Sequence, residues 1–194
     1  MSITIKPISR NKMITKILIV TAVVIVLAVV FVAMQPNDFR MTRSTLITAP
    51  PSEVFANVND QHRFQVWSPF NKMDPQIKET FEGPSAGTGA IYRWTGDKNV
   101  GEGTSTIVES RTNEMVRFRL EFRKPFVGTN DVIFTVQPEG EQTKVTWDMT
   151  GKKNFVMKGL SFLMCMEKMC GDQFEKGLSS LKTLSESGTL AKSN

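Results

Sequence analysis

The spacing of hydrophobic positions changes character three times along the chain. From Ile17 to Met34 there is no period at all, because the 18 residues contain one polar member, Thr21. Wound as a helix, this run rises about 27 Å, close to the roughly 30 Å hydrocarbon core of a bilayer. It predicts a transmembrane helix over residues 14–34. The run is longer than the roughly 7 to 15 apolar residues of a cleavable signal peptide, and Phe31 to Met34 offers no small-residue cleavage site, so an uncleaved anchor is expected.

After a short polar linker (35–39), residues 40–48 read as a strand. Ala49, Pro50, Pro51 and Ser52 stop it and open a helix, with Pro51 tolerated at the helix start and Glu53 near the positive end of the dipole. Val54, Phe55 and Val58 form its apolar face. A second short helix, 62–67, ends at Ser68, Pro69 and Phe70. From Ile77 the period becomes two. Six strands are predicted, over residues 77–82, 89–95, 103–110, 114–122, 130–137 and 143–151. The clearest alternates Val116, Phe118, Leu120 and Phe122 with Arg117, Arg119, Glu121 and Arg123, as a strand with one buried and one wet face does. Short turn-forming links, such as Thr95 to Gly101 and Pro138 to Glu141, imply a meander of neighbouring strands.

Beyond Lys153 the period turns helical. Met166, Cys170, Phe174, Leu178, Leu181 and Leu184 recur at spacings of three or four, opposite Glu167, Lys168, Asp172, Glu175 and Lys182. An antiparallel sheet with one apolar face needs a cover, and only this helix of roughly 20 residues is long enough to supply it. The expected organisation is a cytoplasmic tail (1–13), the anchor (14–34), the linker (35–39), an α+β domain (40–187) and a tail (188–194).

Charge sharpens this reading. The net charge is +5, but Lys6, Arg10, Lys12 and Lys16 precede the apolar run, and from Arg40 onward 20 bases face 18 acids. The basic character therefore belongs to membrane topology, with the N-terminus expected in the cytoplasm and the domain outside it, periplasmic in a Gram-negative cell. No nucleic-acid-binding stripe or motif is present. One histidine, His62, and two cysteines, Cys165 and Cys170, five apart on a predicted helix, indicate neither a metal site nor an intrahelical disulfide. The glycines of Gly83 to Gly89 and Gly101 to Gly103 lack the GK[ST] ending of a phosphate loop and are read as turn residues.

Five segments together carry a resemblance: RSTLITAPPSEVFANVND (43–60), WSPF (67–70), FEGPSAGTGAIYRWTGDKNVGEGTSTIVES (81–110), TKVTWDMTG (143–151) and DQFEKGLSSLKTL (172–184). With the element order, they resemble the START/Bet v 1-like (SRPBCC) superfamily, in its polyketide cyclase/dehydrase-like branch. The resemblance spans about residues 40–187 and rests on strand, turn and helix signatures, not on catalytic ones. It implies a helix-grip fold, a curved antiparallel sheet of about seven strands around the C-terminal helix. Between sheet and helix it implies a cavity that in relatives holds lipids, sterols or polyketides.

The candidate cavity residues are Trp67, Phe70, Tyr92, Trp94, Phe118, Leu120, Phe134, Trp147, Met149, Met166, Cys170 and Phe174. Aromatic rings supply area with a few polar handles, and thioethers, including Met157, Met164 and Met169, suit an adaptable wall. Gly171 and Gly177 weaken the last helix, either to leave room for a guest or to let helix and sheet approach closely. The expected function is a membrane-anchored binding or carrier module for a small hydrophobic ligand, without cofactor or metal. A cyclase- or dehydratase-type enzyme would need convergent groups, such as Tyr92 with Glu109 or Asp148, although alternation points Asp148 outward. An accessory protein of a membrane complex, using its surface alone, is the third reading. The row Arg117, Arg119 and Arg123 is expected to be solvated.

Overall fold

The computed structural model describes residues 10–164 and 166–193, with side chains for 12–159, 168 and 170–188. Its elements are α1 (Arg10–Met34), β1 (Asp38–Ile47), α2 (Pro51–Asn59), α3 (Gln61–Trp67), β2 (Lys78–Glu82), β3 (Ile91–Thr95), β4 (Glu102–Arg111), β5 (Met115–Lys124), β6 (Gly128–Glu139), β7 (Gln142–Lys152), α4 (Phe155–Met164) and α5 (Met166–Ser193). The strands form one antiparallel sheet in the order β1-β7-β6-β5-β4-β3-β2, so only β1 departs from the meander. Its long pairing with β7, from Asp38 opposite Lys152 to Ile47 opposite Thr143, brings the two ends of the domain together. A curved seven-stranded sheet with a long C-terminal helix against it is the helix-grip arrangement.

Helix α1 is long and apolar enough to cross a membrane: Lys12–Met34 has a mean hydropathy of 3.3 and is unburied. Apart from its last turn, which α4 meets, its apolar side chains are not covered by the rest of the described chain, so it is not a core element. The short helices follow their local chemistry. Pro50 and Pro51 open α2, and the Asp60 side chain caps α3 by accepting from the backbone N–H groups of His62 and Arg63.

Alternation decides the core. Ile47, Val116, Phe118, Val132, Phe134, Val136, Val145 and Trp147 point inward from the strands. Val54, Phe55, Val58 and Trp67 meet them from α2 and α3, and Phe174, Leu178 and Leu181 from α5. Two members of the outward row are ion-paired, Arg117 with Asp131 at 3.1 Å and Arg123 with Glu102 at 3.0 Å, while Arg119 is exposed.

Two expectations are corrected. Strand β1 starts at Asp38, inside the expected linker, because pairing with Lys152 extends it past its apolar pattern. Helix α5 also continues to Ser193, through the expected tail. Cys165 lies outside the described residues, and Met164, Met166 and Met169 lie outside those with described side chains.

Candidate functional site

The inward face of the sheet divides into a closed and an open half. In the closed half, rings from four elements interlock: Trp147 stacks on Phe174 at 4.1 Å between centroids, Phe134 lies 4.8 Å from Trp147, and Trp67 meets both Phe134 and Trp147 edge-on at 5.8 Å. Phe64 bridges Trp67 and Phe118. Such offset and edge-to-face pairs fill space as the interior of a protein does. Of the expected cavity residues, Trp67, Phe118, Phe134, Trp147 and Phe174 are therefore brought together as a packed cluster. Gly177 takes part in this closeness: a Cβ there would lie 2.8 Å from the Trp147 ring and 3.1 Å from Pro69. Gly171 sits beneath the Arg43 guanidinium. Close approach, rather than room for a guest, is what these two glycines provide.

Toward the other end the same face loosens. Along β5, Val116 and Phe118 are buried while Leu120 and Phe122 are only half-buried. Along β7, Val145 and Trp147 are buried while Met149 is half-buried, and Cys170 of α5 joins them. Burial raises the Cys170 thiol above its ordinary value, so it is a neutral, apolar-behaving part of the wall. This end can be located by register. Asp38, Lys152, Asn130, Phe122, Glu102, Thr95 and Lys78 share it through successive strand pairings, so it is where the chain leaves α1.

Polar handles are few. The Trp67 indole N–H donates to the Asn57 carbonyl at 2.9 Å and that of Trp94 to Val100 at 3.3 Å. The Trp147 N–H is buried with no partner among the described residues. Tyr92 donates to Glu79 at 2.7 Å and lies 3.1 Å from the Asn71 side chain. Desolvation first, and then the Glu79 carboxylate, push its hydroxyl far above its ordinary value, so it stays protonated. Phe70 is exposed on the loop 68–77.

The groups that an enzyme would need do not converge. Asp148 lies on the outer face, where Arg40 Nε donates to both its oxygens at 3.0 Å and Thr42 donates at 2.9 Å. Glu109 pairs with Arg111 at 3.2 Å, also on the outer face, opposite Arg117. Neither approaches Tyr92. His62 stacks on Phe81 at 3.8 Å beside a recess of about 140 Å³ lined by Gln61, Gly83, Pro84 and Ser85. A broader groove of about 430 Å³ runs past Ser44, Leu46, Glu139 and Lys182 at the sheet edge. Neither depression lies between sheet and α5. No cluster of three metal-ligating side chains exists among the described residues. Sequence reading missed Phe122 as an open-half residue, although it continues the Val116, Phe118, Leu120 alternation. It also missed Glu79 and Asn71, whose meeting with Tyr92 depends on the fold of the loop 68–77.

Comparison with known proteins agrees with this architecture. The family model described as polyketide cyclase/dehydrase and lipid transport matches residues 38–186. No curated protein matches the sequence. Protein CV1439 from Chromobacterium violaceum superposes with a TM-score of 0.56 at 16% identity, covering 78% of this chain and 99% of its own. TTHA0849 from Thermus thermophilus gives 0.56 at 17% identity, covering 78% and 99%. The Aha1 dimer from Colwellia psychrerythraea gives 0.55 at 15% identity, covering 76% and 96%. At such identities these likenesses speak of fold alone. With its matched region taking in the whole sheet and most of α5, the chain belongs to the polyketide cyclase/dehydrase and lipid transport family.

Proposed function

We propose that the chain is a membrane-anchored binding or carrier module for a small hydrophobic ligand, held between the sheet and α5 in the half nearest α1. One observation carries this reading. The inward face is sealed by rings at one end and flanked at the other by apolar side chains that are only half-buried, Leu120, Phe122, Met149 and Cys170. Apolar surface of this kind gains roughly 25 cal/mol per Å² when a guest covers it. The family's link to lipid transport supports the ligand class. The bare apolar α1 supports the anchor.

The test is native mass spectrometry of the full chain extracted from membranes in mild detergent. The expected result is a copurifying apolar molecule on the wild type that is absent from Leu120→Lys, which places a charge among these half-buried side chains. A wild-type chain that carries nothing, and takes up no added lipid, would overturn the proposal.

A further inference from the structure

Outside α1, the exposed large apolar side chains among the described residues are Leu46, Val66, Phe70, Met73, Phe126, Val127, Phe155 and Val156. Their distribution is uneven. Phe126 and Val127 form the tip between β5 and β6. Phe155 and Val156 open α4, just after β7. Phe70 and Met73 lie on the loop that Asp74 ties to the 96–101 turn, by accepting from the Asp97 N–H at 2.8 Å. All six belong to the end of the sheet that holds Asp38 and Lys152. The turns at the opposite end, 111–114 and 139–142, carry no exposed large apolar side chain and include Glu114, Glu139 and Glu141.

We propose that this end of the domain rests on the bilayer that holds α1, with the apolar tips inserted at the interface, an inference that depends on α1 being an anchor. Distance makes the contact unavoidable. Only Gln35, Pro36 and Asn37 separate Met34 from Asp38, and four chain steps span at most about 14 Å. The headgroup layer beyond the hydrocarbon core is itself about 5 to 7 Å thick. Helix α4 is closer still: the buried Lys158 ammonium donates to the Ala33 carbonyl at 3.2 Å, inside the apolar run. That bond satisfies a free carbonyl at the C-terminal end of α1 and places a cation at the negative end of its dipole. It fixes α4, and with it Phe155 (51% exposed) and Val156 (50% exposed), at the depth of α1's last turn.

The charges around the tips fit the same occupant. Lys124, paired with Glu102 at 3.1 Å, precedes Phe126, Lys152 and Lys153 precede Phe155, and Lys72 and Lys98 sit on the neighbouring loops, with Asp38 and Asp97 at the same end. Lysines beside apolar tips meet anionic headgroups while the tips enter the acyl boundary. The half-open face of the proposed binding site lies at this same end, so a guest would pass between lipid and protein without crossing water.

The experiment uses full-length protein in liposomes of phosphatidylcholine and phosphatidylglycerol, with and without brominated acyl chains that quench tryptophan on contact. Three single substitutions report separately, each read against the wild type with its three native tryptophans: Val24→Trp within α1, Val127→Trp at the tip, and Glu141→Trp on the far turn. Val127 is 79% exposed, so its replacement leaves the core untouched, and circular dichroism matching the wild type verifies folding. The expected result is strong bromolipid quenching and a blue shift for Val24→Trp and Val127→Trp, with neither for Glu141→Trp. Quenching at Val24→Trp alone would overturn the docking and leave the anchor standing. A blue shift at Val127→Trp without quenching would assign the tip to a protein partner and also overturn it. Quenching at neither position would remove the anchor itself, and the docking with it.

Discussion

A single side chain, Asp148, shows how the outer face gains stability without chemistry. Arg40 donates to both its oxygens, from Nε and again from Nη2, and Thr42 adds a further bond, so the carboxyl is held below the usual range, first by the Arg40 hydrogen bond. The Asp148 side chain is 15% exposed but Arg40 is 70% exposed, and solvent screening discounts the pair accordingly. Replacing Asp148 with Asn should cost about 1 kcal/mol at neutral pH. A carboxylate whose folded value is depressed stabilises above its unfolded value, near 4, and loses that contribution as pH falls through the folded value. Melting temperatures of wild type and Asp148→Asn in detergent should therefore differ from pH 5 to 8 and converge as acid titrates the carboxylate in the folded state. A difference that persists in acid would mean that shape, not charge, is what Asn disturbs. Two other residues show the inverse situation, buried polarity left open. Gln61 Oε1 and the Trp147 N–H have no partner among the described residues, and sequence cannot reveal this because it depends on every neighbour that fails to arrive.

At the scale of elements, α5 depends on the closeness of its contact with the sheet. Alanine in place of a helical glycine ordinarily gains up to about 1 kcal/mol. At Gly177 the added Cβ would press on a Trp147 ring already held between Phe174 and Phe134, and overpacking costs about 1 to 3 kcal/mol. Overpacking wins, so Gly177→Ala should destabilise by about 1 to 2 kcal/mol. Gly159→Ala, with nothing described within 4 Å of its Cβ position in α4, should be neutral or stabilising by thermal unfolding. Equal effects at both sites would mean that Trp147 gives way. The strands are legible in the sequence where one face is wet, as in Val116 to Arg123, because alternation is then enforced by solvent. Strand β2 is legible more by its turns, since its exposed pattern carries little alternation. The open half of the site is readable as a list of apolar positions, whereas its boundary with the closed half is not. That boundary is drawn by Phe64 and Trp67 arriving from α3.

For the molecule as a whole, the decisive asymmetry is electrical. Lys6, Arg10, Lys12 and Lys16 crowd one side of the apolar run, while Arg40 and Arg43 follow on the other. Cations near a span resist translocation, each side competing for the cytoplasm, and acids such as Asp38 count for little in that contest. Four against two favours a cytoplasmic N-terminus. A reporter fused after Asn194 should therefore be active only on the far side of the membrane, as alkaline phosphatase is and a cytoplasmic fluorescent protein is not. Changing Lys6, Arg10, Lys12 and Lys16 together to Gln leaves the two downstream arginines in sole possession and should return a substantial fraction of reporters to the cytoplasm. If the unaltered chain already shows a cytoplasmic C-terminus, the apolar run is inserted the other way round. The half-buried Leu120 and Met149 would then face the inner leaflet, and any guest would be drawn from that side.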